Sequence, residues 1–346
     1  MSNVAEQIEQ DAFLDVENLR VSFNTDEGVI LAVDGISFSV KRGQTLGIVG
    51  ESGSGKSVST KAVMQLLPRT AIIDKDSSIK WHRDNGEIAE ITELHKSGRV
   101  MRRIRGGEIG MIFQEPMSSF SPVHTIGNQI IEAVLEHRQV KKSEAREIAI
   151  DMLDKVGISN PSVRVDQYSF ELSGGMRQRA MIAVALSMNP ALLIADAPTT
   201  SLDVTIQAQI LELMNRLQEE LGMAIIFITH NLGVIAQVAD EVEVMYLGRI
   251  LERGTAREII HQQQHPYTQA LLRAIPHLDR LGERLTAISG DIPSPLERPT
   301  GCPFHTRCEQ VIPGLCDIQD PGLTQISSTH SVHCFLHEER DVRNLT

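Results

Sequence analysis

The sequence is short of three things, and each shortage closes a class of function. No apolar run approaches the roughly 18 to 20 residues that span a bilayer, and the polar start Met1 to Gln10 lacks a signal-peptide core. Any membrane role is therefore expected to be peripheral. Positive charge is in deficit: 33 Lys and Arg stand against 45 Asp and Glu, a formal net charge of −12. That balance argues against a general nucleic-acid binder. Cysteine is missing until Cys302, and the four present all lie between Cys302 and Cys334. In a chain without an export signal this clustering suggests a metal or cluster site before a disulfide framework, and a reducing cytoplasm. With 346 residues the chain is long enough for a sizeable core and for two or three domains.

What is present starts with Gly50-Glu51-Ser52-Gly53-Ser54-Gly55-Lys56-Ser57. The preceding Thr45 to Val49 reads as a buried strand, and Val58 to Leu67 has helical spacing up to the breaker Pro68. A strand, a glycine-rich loop and a helix in this order make a phosphate cradle. The glycines let backbone N–H groups turn inward around phosphates, Lys56 can reach the β and γ oxygens, and the Ser57 hydroxyl can hold Mg²⁺. The helix N-terminus adds its partial positive charge to the same place.

Along the rest of the chain, residues 14 to 49 alternate apolar and polar positions around turn signals, as an antiparallel β region would. From Asp74 to Gly107 the pattern is polar and charged and reads as an insertion or loop, with Arg102, Arg103 and Arg105 as a solvated face. A strand is expected at Ile109 to Phe113. Residues 123 to 168 read as helical, with stripes through Ile126, Ile130, Ile131, Val134 and Leu135 and through Ile148, Met152, Leu153 and Val156. Two further buried strands, 191 to 195 and 224 to 228, flank a helix carrying Ile206, Ile210, Leu213, Leu217 and Leu221. Strands alternating with helices predict a parallel α/β sheet. Beyond about Ile275 the chain becomes rich in Pro and Gly, marking a C-terminal extension.

A phosphate loop alone does not choose among kinases, GTPases, helicases and transport ATPases. Leu172-Ser173-Gly174-Gly175-Met176 does, because it resembles the signature of the ATP-binding-cassette (ABC) transporter ATPases. That resemblance implies an α/β P-loop NTPase fold: a RecA-like parallel sheet core, an antiparallel β subdomain and a helical signature subdomain. The expected domains are the cassette at 12–275, with its helical part about 115–175, and a cysteine-bearing extension at 276–346. It also implies ATP sandwiched in a head-to-tail dimer between the loop of Gly50, Ser52, Gly53, Ser54, Gly55, Lys56, Ser57 and Val58 in one subunit and Ser173, Gly174 and Gly175 in the other. Gln114 matches the glutamine loop near Mg²⁺, and Asp196, after an apolar strand, matches the acidic residue holding Mg²⁺ through water, with Ser57 completing that set. Asp203 matches the dimer-interface loop, His230 the switch histidine at the γ-phosphate, and Phe23 the aromatic that stacks on adenine.

One position departs from the pattern. Where the family has a glutamate after the Asp196 position, this chain reads Asp196-Ala197-Pro198. A methyl group cannot act as a base. The expectation is ATP binding with hydrolysis severely impaired, whether Ala197 is an engineered substitution or a naturally degenerate site in a heterodimeric pair.

The segments 111–119, 205–210 and 265–272 look like the oligopeptide/dipeptide importer branch, which also contains nickel and some oligosaccharide importers. The resemblance implies a peptide importer, with oligosaccharide, opine or nickel-type solutes as alternatives. Its implied partners are a second ABC ATPase that is a homologous different chain, two permeases and a periplasmic or extracellular solute-binding protein, with no nucleic acid. It places the subunit at the cytoplasmic face of the cytoplasmic membrane. Cys302, Cys308, Cys316 and Cys334 resemble the branch's cysteine-bearing tail, implying a [4Fe–4S] cluster of structural role, with Zn²⁺ as the alternative. Rival classes are a soluble ABC protein of DNA repair or translation and a non-hydrolytic regulatory subunit. The first is disfavoured because the chain has neither a second cassette nor a long coiled-coil insertion.

Overall fold

A computed structural model of the protein describes residues 12–114, 119–200, 202–275 and 288–338. Its opening elements are β1 (Ala12–Thr25), β2 (Gly28–Lys41), β3 (Thr45–Val49), α1 (Lys56–Val63) and β4 (Ala71–Ile73). There follow β5 (Ser78–His82), β6 (Ile88–Glu90), β7 (Ile109–Ile112), α2 (Ile126–His137), α3 (Lys142–Lys155) and α4 (Gly174–Leu186). The remainder holds β8 (Leu192–Asp196), α5 (Val204–Leu221), β9 (Ala224–Thr229), α6 (Leu232–Val238), β10 (Glu241–Tyr246), β11 (Arg249–Thr255), α7 (Pro266–Arg273), β12 (Leu323–Gln325) and β13 (Ser331–His333). The chain divides into two units, one of Met1–Asp15, Ser39–Thr45 and Ile79–Ile228, the other of Val16–Phe38, Leu46–Ser78 and Thr229–Thr346.

In the first unit β7, β8 and β9 run parallel, with Ile112 opposite Ala195 and Ala195 opposite Phe227. Every residue of the three strands is buried, which explains why they are near-continuous apolar runs without alternation. Helices α2, α3 and α4 pack on one another, burying Ile126, Ile130, Ile131 and Val134 from α2 and Met152 and Leu153 from α3. Leu135, expected in the same stripe, lies outside the buried arc at 39% exposure.

The stretch read as a polar loop, 74 to 107, is different: it contains the antiparallel pair β5 and β6. Alternate residues Ile79 and Trp81 of β5 point inward. The Trp81 ring lies 4.3 Å from that of Phe13, and its indole N–H donates to Glu108 at 2.8 Å. Arg83 completes the arrangement with a 2.6 Å bond to Glu108. The strand is hidden in the sequence because its outward positions are Ser78, Lys80 and His82. Arg102 and Arg103 are exposed, as read.

In the second unit β3 pairs in parallel with β10, Val49 lying opposite Val244. From β10 the pairing continues antiparallel to β11, then β13, then β12. The C-terminal residues 323–333 are thus laid onto the edge of β11. There too β1 pairs antiparallel with β4, Val21 facing Ile73.

The junction of β11 and α7 is buried and polar. Glu252, with no exposure, accepts from the N–H of Gln264 at 2.6 Å, from that of His265 at 3.0 Å, and from His330 Nε2 at 2.7 Å. His265 Nδ1 in turn accepts from the Tyr267 N–H at 3.0 Å. Burial depresses the His265 imidazole to about 4, against a free value of about 6.5. Its stabilising contribution is therefore complete above pH 6.5 and lost as pH falls toward 4. At pH 5 this single group is expected to lower stability by roughly 2 kcal/mol relative to neutral pH. A His265→Gln variant should show a flatter dependence of the urea midpoint between pH 5 and 7.5 than the parent protein.

Candidate functional site

The loop between β3 and α1 is shaped by a buried cation. Lys56 opens α1 and is 9% exposed. Its ammonium donates to the carbonyls of Gly50 and Glu51, both at 2.7 Å, and to Ser54 Oγ at 3.0 Å. Two positions admit no side chain. A Cβ on Gly50 would stand 2.1 Å from the Met245 carbonyl. Gly55, the residue before the helix, has φ +98°, and its Cβ would meet the Ala32 carbonyl at 2.5 Å. The Gly248 N–H, donating to the Ser54 carbonyl at 2.9 Å, pins the loop from below. Ser52 and Gly53 are exposed, while Ser57 and Val58 on the first turn of α1 are partly so. The first turn thus presents backbone N–H groups and the Ser57 hydroxyl at the loop, an arrangement that suits an anion.

Beside this loop lies a cavity of about 200 Å³, lined by Phe23, Ala32, Gly53, Leu247, Pro295 and Arg298 among others. Phe23 is half-buried there, so the aromatic singled out from the sequence does line a recess next to the phosphate loop. Sequence reasoning missed Arg298 and Pro295. Arg298 donates to the Leu247 carbonyl and pairs with Asp34 at 3.2 Å. Neither residue carries a motif; the run of prolines was the only available signal.

A second loop-to-helix junction lies in the first unit. Ser173 caps α4, its Oγ accepting from the Met176 N–H at 3.3 Å. Ser173 and Gly174 are exposed and Gly175 partly so, while Leu172 is buried and anchors the turn. Gln114 follows β7 and is exposed. Asp196 ends β8 and is 2% exposed. Ala197 next to it has φ +50°, a left-handed conformation uncommon for a residue with a Cβ, and its N–H donates to the Ile228 carbonyl at 2.9 Å. Asp203 caps α5 through a 2.9 Å bond from the Ile206 N–H. In the second unit, His230 follows β9 and is exposed.

These features match a known pattern along the chain. The ABC transporter pattern covers residues 33–200, from β2 to just past Ala197. The dipeptide transport ATP-binding protein DppD of Bacillus subtilis is 47% identical over 327 residues, covering 94% of this chain and 95% of that one. The chain belongs to the ABC transporter family. A second pattern, the oligopeptide/dipeptide transporter C-terminal region, matches residues 251–316 of this ABC protein. A putative peptide import ATP-binding protein of Brucella abortus is 46% identical over 332 residues, covering 94% of this chain and 97% of its own. Among solved structures, cbiO1 of Clostridium perfringens aligns with TM-score 0.60 at 28% identity, over 73% of this chain and 92% of that one. The ATP-binding cassette MJ0796, solved as a dimer bound to ADP and Pi, aligns with TM-score 0.61 over 70% of this chain and 99% of that one. At 24% identity it speaks for the fold alone. Among the described residues no helix is long and apolar enough to cross a membrane.

The four cysteines lie in one module. Cys302, Cys316 and Cys334 are buried and Cys308 half-buried, and the Cys302 N–H donates to the Cys316 carbonyl at 2.8 Å. Burial raises Cys302 to about 12 and Cys334 to about 11, and the other thiols of the set push in the same direction. Among the described residues, however, no three His, Cys, Asp or Glu side chains are placed to hold a metal ion. The placement of these thiols therefore supports neither the expected [4Fe–4S] cluster nor the zinc alternative.

Gly55→Ala tests whether the loop tolerates any change of its backbone. The Cβ would meet a backbone carbonyl rather than a movable side chain, so magnesium–ATP binding should fall by at least about tenfold while His265-dependent stability persists. Equilibrium dialysis with labelled ATP reads the first and urea melts the second.

Proposed function

We propose that this ABC protein is the ATP-binding subunit of an importer that couples ATP binding and hydrolysis to uptake of di- or oligopeptides across a cytoplasmic membrane. The observation that carries the reading is the identity of 45–47% to the DppD and AppD peptide-transport proteins, which spans 94% of the chain and so covers cassette and tail alike. The glycine-rich loop around Lys56 and the Ser173-capped helix supply the two phosphate cradles that such a machine needs. In the proposed assembly the Lys56 loop of one ATPase subunit and the Ser173 turn of the other grip one triphosphate from opposite sides. ATP then favours the closed pair because it touches both faces only when they meet. The companion ATPase is a homologous chain, two permeases receive the motion near Gln114, and a solute-binding protein delivers the peptide. Phe23 stacks on adenine from the recess described above. Mg²⁺, for which Ser57, Asp196 and Gln114 supply oxygen ligands, would neutralise charge building on the phosphates. His230 contacts the γ-phosphate and Asp203 the dimer interface.

Ala197 favours a qualification of this reading: the chain holds ATP but leaves its own hydrolytic site without a base. The residues proposed to hold the nucleotide do not include Ala197, so binding and chemistry are separable. Ala197→Glu should raise ATP turnover of the assembled transporter by about 10² to 10⁴, with ATP affinity little changed. Alanine already carries the Cβ in the left-handed conformation, so glutamate adds no backbone penalty. No gain in turnover would mean that the missing carboxylate is not what limits the site.

The cysteine module is proposed to hold a [4Fe–4S] cluster of structural role. Support comes from the match to the transporter C-terminal region over 251–316, which contains Cys302, Cys308 and Cys316. Anaerobically purified protein should contain iron and acid-labile sulfide in equal amounts, near four of each per chain. Zinc without sulfide would overturn the cluster in favour of a zinc site, and neither metal would leave the module as packed reduced thiols.

A further inference from the structure

Within the second unit, a residue of the cysteine-bearing tail reaches the phosphate loop. Arg307, directly before Cys308, donates from Nη1 to Glu51 Oε2 at 2.7 Å and from Nη2 to Oε1 at 3.1 Å. Its side chain is 3% exposed, and that of Glu51 is 24% exposed. The fork is itself held: Nε donates to the Ser289 carbonyl at 3.2 Å, and Nη1 also reaches the Tyr246 hydroxyl at 3.4 Å. Tyr246, Tyr267 and Phe304 form a ring cluster beside it, with centroids 4.8 to 5.3 Å apart. Glu51 is tied at three points. Its carboxylate takes the Arg307 fork, its N–H donates to the Tyr267 hydroxyl at 2.9 Å, and its carbonyl accepts from Lys56 at 2.7 Å.

We propose that Arg307 is a positioning residue for nucleotide binding, acting through Glu51: it holds a carboxylate of the phosphate loop in a bidentate ion pair and neutralises it, so that the loop can accept a polyanion. This rests on the reading of Gly50 to Ser57 as the ATP loop. A carboxylate inside a phosphate cradle opposes its ligand by like-charge repulsion, and at a partly buried position that repulsion is screened less than in bulk water. A bidentate guanidinium fixes both the charge and the orientation of the carboxylate, which a lysine or a single hydrogen bond would not. Because the same residue lends its carbonyl to Lys56, the orientation of Glu51 also sets where the ammonium waits.

The test separates charge neutralisation from simple bracing. In full-length protein, Arg307→Gln leaves Glu51 charged and should raise the Kd for magnesium–ATP by about tenfold or more, more steeply at low salt. Adding Glu51→Gln removes the stranded charge while an amide pair keeps the contact. The double variant should therefore bind within about threefold of the parent and tighter than Arg307→Gln alone. A brace without an electrostatic role predicts the opposite order, the double variant being as weak as the single or weaker, and that order would overturn the proposal. So would a Kd within twofold of the parent for Arg307→Gln. Should Arg307→Gln show no cooperative melt, the double variant against the parent still decides, a tenfold loss of affinity counting against the inference. Failure of the unsubstituted protein to bind magnesium–ATP would instead refute the nucleotide reading of the loop.

Discussion

The phosphate loop is folded around a lysine that has no water to spare. An ammonium at 9% exposure must be given oxygen ligands by its own surroundings, and the Gly50 and Glu51 carbonyls with Ser54 Oγ provide three. Most of the local structure follows from that requirement. The carbonyls converge only if the chain turns sharply at Gly50, where the Met245 carbonyl leaves no room for a Cβ. Met245 is there because β10 lies parallel to β3. In the proposed function, nucleotide binding at this loop is an exchange of oxygen ligands on one nitrogen, phosphate for carbonyl, with little new desolvation of the amine. Such an exchange is sensitive to small displacements of the carbonyls, which is why the anchoring of Glu51 matters more than its position at the rim suggests.

The site also keeps two tasks apart. Groups that hold a triphosphate sit on glycine turns and helix starts, where backbone N–H groups carry the interaction and side-chain identity matters little. Chemistry on water needs one side chain of defined basicity, and in the proposed function the residue at that place is Ala197. Ala197 takes a left-handed backbone, with its N–H bonded to the Ile228 carbonyl beside the buried Asp196.

What could be read from the residues was what local pattern encodes. The runs Leu192–Asp196 and Ala224–Thr229 are buried on both faces, so apolar content alone marks them as strands. Ser173 and Asp203 announce helix starts because a short oxygen-bearing side chain there meets the N–H three residues on. The β5 strand was invisible for the opposite reason. Its inward residues are only Ile79 and Trp81, and its outer face looks like a loop. Phe23 was placed by resemblance, but the Arg298 and Pro295 that share its recess carry no local signature.

The contact between Glu51 and Arg307 spans 256 residues, a separation over which no periodicity or spacing carries information. Both residues nevertheless lie inside stretches that were read for other reasons, Glu51 in the glycine-rich loop and Arg307 in the cysteine-bearing tail. Their meeting makes the tail more than an appendage. If formation of the Arg307–Glu51 ion pair favours polyanion binding, a bound polyanion favours that ion pair by the same factor, since coupling free energy is reciprocal. Cys308 is the next residue, and its N–H donates to the His305 carbonyl in the turn that carries Arg307. Under the role proposed for Arg307, the state of the phosphate loop is felt one residue away from Cys308.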